Sequence, residues 1–287
     1  MTNDSNASLI VKWLFETSAV RVADPEQPFW YTSGTLGPYY INTHFLYGSQ
    51  KAAEELLEKI EQGVKTAESL PEKLAQETIA QYNNNEIYRG LIDLMIARLN
   101  EEDFDLISGG ERRDFFFSIP IAILMNKPHL TILKDGRSLY SNQGLTLTNW
   151  TEAKQLEGCQ VMHIADLVTE ASSYIRAWLP SVKYVAGKMA KTMAVVDRCQ
   201  GGAEILKQAG TELISMTSID ESLFNLAVQA GLMTAEQKTM IDAFTADPHS
   251  YMKDFLRSHP DFLDQQLSMG GKNAERARLC LEKGYGK

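Results

Sequence analysis

One short polar segment holds residue types that suit an anion. Asp166 follows the apolar run VMHIA, and Thr169, Ser172 and Ser173 come soon after it. Hydroxyl groups and the free backbone N–H groups at a helix start donate hydrogen bonds to phosphate oxygens, and the helix dipole favours the negative charge. A carboxylate at Asp166 accepts hydrogen bonds from sugar hydroxyls. The segment suits a sugar phosphate, and it is equally compatible with Asp166 and Thr169 simply capping a helix.

Two residues in the same segment act against an anion. Glu170 stands in the turn, and a carboxylate ~4 Å from a phosphate charge costs roughly 4 kcal/mol at an effective dielectric near ~20 if it points inward. A glutamate in a first helical turn also suits the dipole while facing solvent. Ala171 follows it, and alanine resists the positive φ and the close backbone approach that glycine allows. We therefore expect a weakened phosphate site.

A second segment, SGGERRDFFFS, carries two adjacent arginines. Its two glycines predict a tight turn, and Arg112 and Arg113 suit a phosphate because guanidinium groups match its oxygens. The alternative is a solvated loop in which these arginines pair with Glu111 and Asp114. The balanced charge of the segment favours that alternative.

Two further segments place basic residues after apolar runs. Lys134 and Arg137 lie in LKDGRSLYSNQG, where a mobile loop could close over a polyanion and exclude water, or could simply be exposed. Asp197 and Arg198 directly follow TMAVV. An arginine there can bind a substrate carboxylate with two parallel hydrogen bonds, or it can pair with the neighbouring aspartate.

Short apolar runs alternate with helical patterns in the middle of the chain. The strands expected from these runs lie at 104–108, 129–133, 161–165, 192–196 and 211–218. Strands that alternate with helices predict an α/β fold with a parallel sheet covered on both faces. Ligands bind beyond the carboxyl ends of such strands, so the polar segments that follow them are the candidate sites.

The rest of the chain predicts three parts. We expect N-terminal helices and an aromatic hairpin in 1–100, the sheet-containing core in 101–225 and a helical extension in 226–287. The aromatic stretch 29–48 predicts two strands around a turn. Pro180 should disturb the helix that follows the third strand of the core.

Composition excludes several classes of function. The chain has 287 residues, 44% of them hydrophobic, and a formal net charge of −9. Without a basic face, nucleic-acid binding is not expected. No apolar run approaches the length of a membrane span, and the sequence shows no signal-peptide pattern, so we expect a cytoplasmic protein. Three widely separated cysteines indicate neither a zinc site nor a disulfide framework.

In order, these segments resemble the type I phosphoribosyltransferases, specifically the orotate phosphoribosyltransferase family, over residues 27–225. YTSGTLGPYYIN resembles the element that helps to cover the base, and VMHIADLVTEASS stands where the motif for phosphoribosyl diphosphate (PRPP) lies. VVDRCQGGAEILKQAGTEL resembles the segment before the last core strand. The chain departs from the family at Ala165, where a second acidic residue is usual, and at Glu170 and Ala171, which replace Thr-Gly. Thr32 and Leu133 also replace basic residues.

The resemblance implies a type I phosphoribosyltransferase-like fold: a parallel sheet flanked by helices, with an N-terminal hood and a helical C-terminal extension. It implies transfer of ribose 5-phosphate from PRPP to orotate or a related pyrimidine. Mg²⁺ would be bound with the PRPP, protein side chains would form no metal site of their own, and the protein would be a homodimer. The departures leave two other interpretations: a weak or inactive protein that senses PRPP or nucleotides, and a transferase with a changed substrate.

The resemblance also assigns roles by position. The hydroxyl side chains expected at the 5-phosphate are Thr169, Ser172 and Ser173. The catalytic candidates, which cover the pyrophosphate and hold the ribose, are Lys134, Arg137 and Asp166. The base-binding candidates, two aromatic rings and a guanidinium for the carboxylate, are Tyr39, Tyr40 and Arg198.

Overall fold

The computed structural model describes residues 3–285, with side chains from residue 6 onward. The chain divides into two compact units. The first contains the described residues through Ala19 together with Asn42–Leu223, and the second contains Val20–Ile41 and the residues from Phe224 onward. This division differs from the three parts expected from the sequence, because the N-terminal helices belong with the central sheet while the aromatic hairpin belongs with the C-terminal helices.

Residues 3–285 contain eleven strands and twelve α-helices. The strands are β1 Val20–Val22, β2 Phe29–Trp30, β3 Leu36–Gly37, β4 Tyr39–Ile41, β5 Leu106–Gly110, β6 His129–Ile132, β7 Ser138–Ser141, β8 Thr148–Trp150, β9 Gln160–Val168, β10 Lys188–Asp197 and β11 Glu212–Ser218. The α-helices are α1 Asn3–Glu16, α2 Gln50–Gly63, α3 Leu70–Asn84, α4 Glu86–Leu99, α5 Phe115–Leu124, α6 Leu179–Tyr184, α7 Gly202–Gln208, α8 Glu221–Gln229, α9 Ala235–Ala246, α10 Pro248–Ser258, α11 Phe262–Met269 and α12 Gly271–Glu282.

A seven-stranded sheet forms the centre of the first unit. Its order is β11-β10-β9-β5-β6-β7-β8, and the pairs from β11 to β6 are all parallel. Its strands are short and apolar because both faces of a parallel sheet are covered by helices. The predicted α/β fold, a largely parallel sheet flanked by helices, is confirmed.

The first unit is held together by helix α5 and by the apolar cluster between the sheet and the helix that follows β9. The α5 side chains from Phe115 to Ala122 are all buried, so this helix is apolar on every side. A second cluster joins β9 and β10 to the helix that follows β9, where Trp178 and Val182 are 5% and 2% exposed. These contacts hold the carboxyl ends of the strands in fixed positions.

The segment after β6 forms a hairpin and is not a continuous loop as expected. Strands β6, β7 and β8 are paired antiparallel, and the turn between β6 and β7 is closed by a hydrogen bond of 2.8 Å from Leu133 N–H to the Arg137 carbonyl. Gly136 adopts a φ of 87°, which glycine tolerates and other residues rarely do. The expectation failed because the short run SLYS lacks the apolar character of the core strands.

The second unit contains two small sheets and four complete helices. The pair β2–β3 is the predicted aromatic hairpin, and β4 pairs with β1. Trp30 and Leu36 pack with Met252, Phe255 and Phe262 from the C-terminal helices. Across residues 3–285, the helices are all too short or too polar to span a bilayer.

Candidate phosphate-binding pocket

An open pocket of about 570 Å³ lies in the first unit, at the carboxyl ends of β5 and β9. Residues 111–114 form one wall, residues 165–174 form the other, and Trp178 closes the back. The volume is in the range of small-molecule sites. The pocket brings together all four residues that the sequence placed around a sugar phosphate.

Strand β9 extends beyond the apolar run expected from the sequence, 161–165. The strand ends at Val168, so Asp166 lies inside it and is 8% exposed. The turn is formed by Thr169, Glu170 and Ala171, and the helix begins at Ser172. The predicted order of a strand, a turn and a helix is therefore confirmed with the strand end misplaced by three residues, while anion binding at the turn stays a prediction.

The turn presents free hydrogen-bond donors to the pocket. Ser172 and Ser173 are the first helical residues, whose backbone N–H groups have no partner within the helix. In the described part of the chain, the hydroxyls of Thr169, Ser172 and Ser173 make no hydrogen bond to another residue. Such a group of donors at a helix start suits a phosphate dianion.

The helix after the turn is irregular, as the proline predicted. Tyr174–Trp178 is a π-helical turn, in which Leu179 N–H donates to the Tyr174 carbonyl. Pro180 has no N–H for the carbonyl of Arg176, so the regular α-helical bond cannot form there. The wider turn carries Tyr174 and Trp178, which both line the pocket.

Ala171 adopts the backbone conformation that glycine prefers. Its φ is 52°, in the left-handed region that costs other residues roughly 1–2 kcal/mol. Its methyl group is buried, at 5% exposure. The expectation that this turn suits a glycine is confirmed, and the alanine places a methyl group where glycine would leave room for a ligand.

Glu170 is exposed at the edge of the pocket and has no ion-pair partner among the described residues. Exposure weakens its repulsion of an anion, because solvent screens the charge. At about 4 Å the cost falls from roughly 4 kcal/mol toward about 1 kcal/mol as the effective dielectric approaches that of water.

We expect Glu170→Thr to tighten the binding of ribose 5-phosphate by about fivefold, which corresponds to about 1 kcal/mol. Adding Ala171→Gly should tighten it further, because the methyl group leaves the turn. Isothermal titration calorimetry at low salt measures both effects. Glu157→Thr is the matched control, because this exposed glutamate precedes β9 at the opposite end of the strand. An equal gain in the control would show that only net charge matters.

Two carboxyl groups meet at the bottom of the pocket. Asp114, at the start of α5, accepts a hydrogen bond from Gly110 N–H at 3.0 Å and one from Asp166 N–H at 3.1 Å. Burial and, after it, the negative charge of Asp114 raise the pKa of Asp166 to about 8, against the opposing effect of the nearby Arg113 guanidinium. Asp114 and Asp166 are hereafter called the carboxyl pair.

The segment before α5 contains neither the expected glycine turn nor a pairing of Arg112 within the segment. The two glycines lie in β5 and form no turn, and the Glu111–Arg112 peptide bond after them is cis. Arg112 forms an ion pair with Glu61, so it does not pair within its own segment. Arg113 also lines the pocket and forms no ion pair with the residues that the structure describes.

His163 is a buried core histidine, as predicted. It is fully buried in β9, and its Nδ1 shares a hydrogen bond of 2.9 Å with the Ser108 hydroxyl. Its Nε2 lies 3.4 Å from Asp114 Oδ2, and its ring stacks on Trp178 with a centroid distance of 6.1 Å. His163 therefore packs between Trp178 and the Asp114 carboxyl group.

Lys134 and Arg137 do not line the pocket. The backbone N–H of Lys134 donates to the Glu111 carboxylate at 2.9 Å, which ties the β6–β7 turn to one wall of the pocket. Arg137 pairs with Asp135 at 2.8 Å and lies over the Trp150 ring at 4.7 Å. The pyrophosphate role assigned to both residues stays a prediction.

Arg198 directly follows β10, beside the turn after β9. Its N–H donates to the Val168 carbonyl at 2.9 Å, where β10 and β9 end together. Its Nε is buried without a hydrogen-bond partner in the part of the chain that is described. Arg198 is not among the residues that line the pocket, and its contact with a ligand carboxylate stays a prediction.

Tyr39 and Tyr40 belong to the second unit, where both rings are packed against protein. Tyr39 is 8% exposed and lies 5.4 Å from the ring of Phe224. Tyr40 donates its hydroxyl to the Trp30 carbonyl and contacts the Phe29 ring at 4.9 Å. Their role at the base stays a prediction.

Protein side chains alone offer no metal cage in residues 3–285, since no group of three or more His, Cys, Asp or Glu residues is placed to hold an ion. Mg²⁺ commonly binds through one or two carboxylates together with the phosphates of a substrate. The carboxyl pair is compatible with that arrangement.

Comparisons with known proteins point to one class of enzyme. No family model matches the chain. The orotate phosphoribosyltransferase of Sulfolobus acidocaldarius is 25% identical over 162 residues, which are 56% of this chain and 78% of that protein. The adenine phosphoribosyltransferase of Agathobacter rectalis is 26% identical over 136 residues, which are 45% of this chain and 74% of that protein.

Two solved structures share the fold. The UMP synthase of Leishmania donovani aligns with a TM-score of 0.51 and 18% identity, over 83% of this chain and 42% of that one, so this chain spans less than half of its length. The orotate phosphoribosyltransferase of Francisella tularensis aligns with a TM-score of 0.50 and 14% identity, over 84% and 97% of the two chains. The relatives and the fold together confirm the resemblance: the chain is related to the phosphoribosyltransferases and is similar to the orotate phosphoribosyltransferase family.

Proposed function

We propose that this protein binds PRPP in the pocket after β9 and transfers its ribose 5-phosphate to orotate or a related pyrimidine. The observation that carries the proposal is the turn itself. Three free hydroxyls and a helix start face a pocket that has a buried carboxyl group at its bottom. The similarity to both orotate and adenine phosphoribosyltransferases supports the class of reaction more strongly than it supports the identity of the base.

The proposed chemistry asks the protein mainly to position its ligands. The turn hydroxyls and helix-start amides hold the 5-phosphate, and Asp166 holds the ribose hydroxyls. Arg113 faces the same pocket and stabilises negative charge that develops on the departing pyrophosphate. Arg198 would bind the carboxylate of orotate. Holding both substrates in one geometry contributes a large share of such a rate enhancement.

Mg²⁺ enters this proposal with PRPP, as part of the substrate complex, where it neutralises the diphosphate. We also propose a homodimer, as the resemblance implies. Size-exclusion chromatography with light scattering tests the oligomeric state.

A non-catalytic sensor is the second candidate, and two observations favour it. Glu170 stands at the edge of the pocket, and neither Lys134 nor Arg137 is among the residues that line it. A sensor needs to bind PRPP or a nucleotide without breaking a bond, so it does not need basic residues over the pyrophosphate.

One assay separates the candidates. Purified protein is incubated with PRPP, Mg²⁺ and either orotate or adenine, and nucleotide and pyrophosphate are measured. We expect orotate-dependent release of pyrophosphate, reduced at least tenfold by Arg198→Ala, which removes a charge-assisted bond. Tight PRPP binding without pyrophosphate from either base would favour the sensor, and consumption of adenine alone would assign the enzyme to the other base.

A further inference from the structure

A second open cavity, of about 740 Å³, lies in the first unit beside the β6–β7 turn. Its walls are formed by residues 135–138, by residues 150–151 at the end of β8, and by the helix that follows β9. It shares no lining residue with the phosphate-binding pocket, although the same helical turn contributes Trp178 to that pocket and Arg176 to this one. The volume is within the range of small-molecule sites. This space is hereafter called the turn cavity.

The charged side chains of the turn cavity have a positive balance, although the chain as a whole carries a net charge of −9. They are Asp135, Arg137 and Arg176. Arg137 pairs with Asp135 at 2.8 Å, so these two charges offset one another. Arg176 is exposed and makes no ion pair or side-chain hydrogen bond within residues 6–285. Its guanidinium donors are available to an anion, and their planar arrangement matches the oxygens of a phosphate.

Two exposed aromatic rings line the same cavity. Tyr184 is 56% exposed and contacts no other ring in the part of the chain that is described, and Trp150 is 36% exposed. The Arg137 guanidinium already lies over the Trp150 ring, 4.7 Å from its centroid. The Tyr184 ring is therefore the surface on which a ligand could stack. Nucleobases stack on such rings whatever their identity, because every base has a π face.

Hydrogen bonds hold the walls of the turn cavity together. The buried Ser181 hydroxyl on α6 lies 2.6 Å from the Gly136 carbonyl oxygen and 2.8 Å from the Ala177 carbonyl oxygen, and it can donate to either. The hydroxyls of Ser138 and Thr151 share a hydrogen bond of 2.9 Å. The turn, β8 and the helix are thus joined before any ligand arrives. A preformed site loses less free energy to ordering when it binds.

We propose that the turn cavity binds a nucleoside monophosphate, with its phosphate on Arg176 and its base stacked on Tyr184. An exposed arginine or an exposed tyrosine by itself is an ordinary surface feature. The two together in one preformed cavity match a ligand that joins an aromatic ring to a negative charge. The inference goes beyond the proposed function, because it concerns a cavity other than the one after β9 and requires no transfer reaction.

Fluorine NMR of the full chain labelled with 5-fluorotryptophan tests the site, because each of the four tryptophans gives its own signal. Trp150 reports on the turn cavity and Trp178 on the phosphate-binding pocket, and Trp150→Phe and Trp178→Phe assign the two signals. UMP and AMP are the probes. We expect at least one of them to shift the Trp150 signal with a dissociation constant below about 1 mM. Uridine and ribose 5-phosphate each lack one part of the ligand, so they should bind there at least about tenfold more weakly.

Substitutions of the two ligand contacts sharpen the test. Arg176→Ala should weaken the binding reported by Trp150 by at least about tenfold, because it removes charge-assisted hydrogen bonds to the phosphate. Tyr184→Ala should weaken it by about fivefold or more, and Tyr184→Phe should restore it, because stacking needs the ring and not the hydroxyl. Arg278→Ala is the matched control. Arg278 is an exposed arginine of α12 with no ion pair among the described residues, so this variant should bind as the wild type does.

Several results would overturn the inference. One is that neither nucleotide moves the Trp150 signal, whether or not the Trp178 signal moves. Others are that uridine or ribose 5-phosphate binds there as tightly as the nucleotide, or that Arg176→Ala binds as tightly as the wild type.

A second copy of this chain is the alternative occupant, because Ile175 beside the cavity is also exposed, at 49%. If Arg176→Ala or Tyr184→Ala turns a dimer into a monomer in light scattering, a partner covers the cavity and the inference fails. If the nucleotide moves the Trp150 signal while PRPP leaves the Trp178 signal unchanged, the inference stands and the proposed function fails.

Discussion

Ser172→Ala combined with Ser173→Ala is expected to weaken ribose 5-phosphate binding by about a hundredfold. A hydrogen bond to a charged group contributes about 1.5–3 kcal/mol, so each lost hydroxyl costs about tenfold or more. The backbone N–H groups of the helix start remain, so binding is reduced and not abolished. Isothermal titration calorimetry measures the change, and the circular dichroism spectrum checks that the fold is intact.

Ser69→Ala provides the control for this double substitution. Ser69 lies in the first unit between α2 and α3, and its hydroxyl donates to the Thr66 carbonyl at 3.0 Å, so its loss removes a comparable hydroxyl outside the pocket. Binding by this variant should equal that of the wild type. If the double variant also binds as tightly as the wild type, the hydroxyls do not contact the phosphate.

Trp178→Ala should have the largest effect on stability, lowering the free energy of unfolding by about 3–5 kcal/mol. The indole is 5% exposed and packs on the His163 ring and in the cluster behind the pocket. The indole also packs directly against Gly110, where an added Cβ atom would lie 2.2 Å from it. Urea denaturation followed by circular dichroism measures the loss.

Trp150→Ala is the matched control, since it removes the same side chain from an edge strand. Trp150 is 36% exposed, and its contact with the Arg137 guanidinium contributes about 0.5–1 kcal/mol at an exposed site. We expect a loss of about 1 kcal/mol. Equal losses in the two variants would contradict the assignment of Trp178 to the packed support of the pocket.

The order of elements in the core was predictable from the sequence, because each buried strand is a short apolar run. The run TMAVV falls inside β10, and the polar segment near 169 lies where an anion-binding turn was expected. Pro180 also had its predicted effect, since a missing N–H disturbs a helix in any tertiary context.

The meeting of Asp114 with Asp166 was not predictable from the sequence. Asp114 follows β5 and Asp166 lies in β9, and the two meet because these strands are neighbours in the sheet. Strand order depends on packing between segments that are distant in sequence, and local composition does not specify it. The charge-balanced motif around Asp114 instead suggested pairing with its own arginines, whereas Arg112 pairs with Glu61 on α2.

The end of β9 shows the same limit on a smaller scale. The sequence placed the strand end where the apolar run VMHIA gives way to Asp166. The strand continues to Val168, since Leu167 and Val168 pair with β10 at Val196 and Asp197. Pairing with a neighbouring strand outweighed the local preference of one residue.

A crystal of the protein soaked with ribose 5-phosphate tests the central claim most directly. We expect the phosphate to lie against the N–H groups and hydroxyls of Ser172 and Ser173, with the ribose hydroxyls near Asp166. An empty pocket at saturating ligand, or the Glu170 carboxylate occupying the position of the phosphate, would contradict the account.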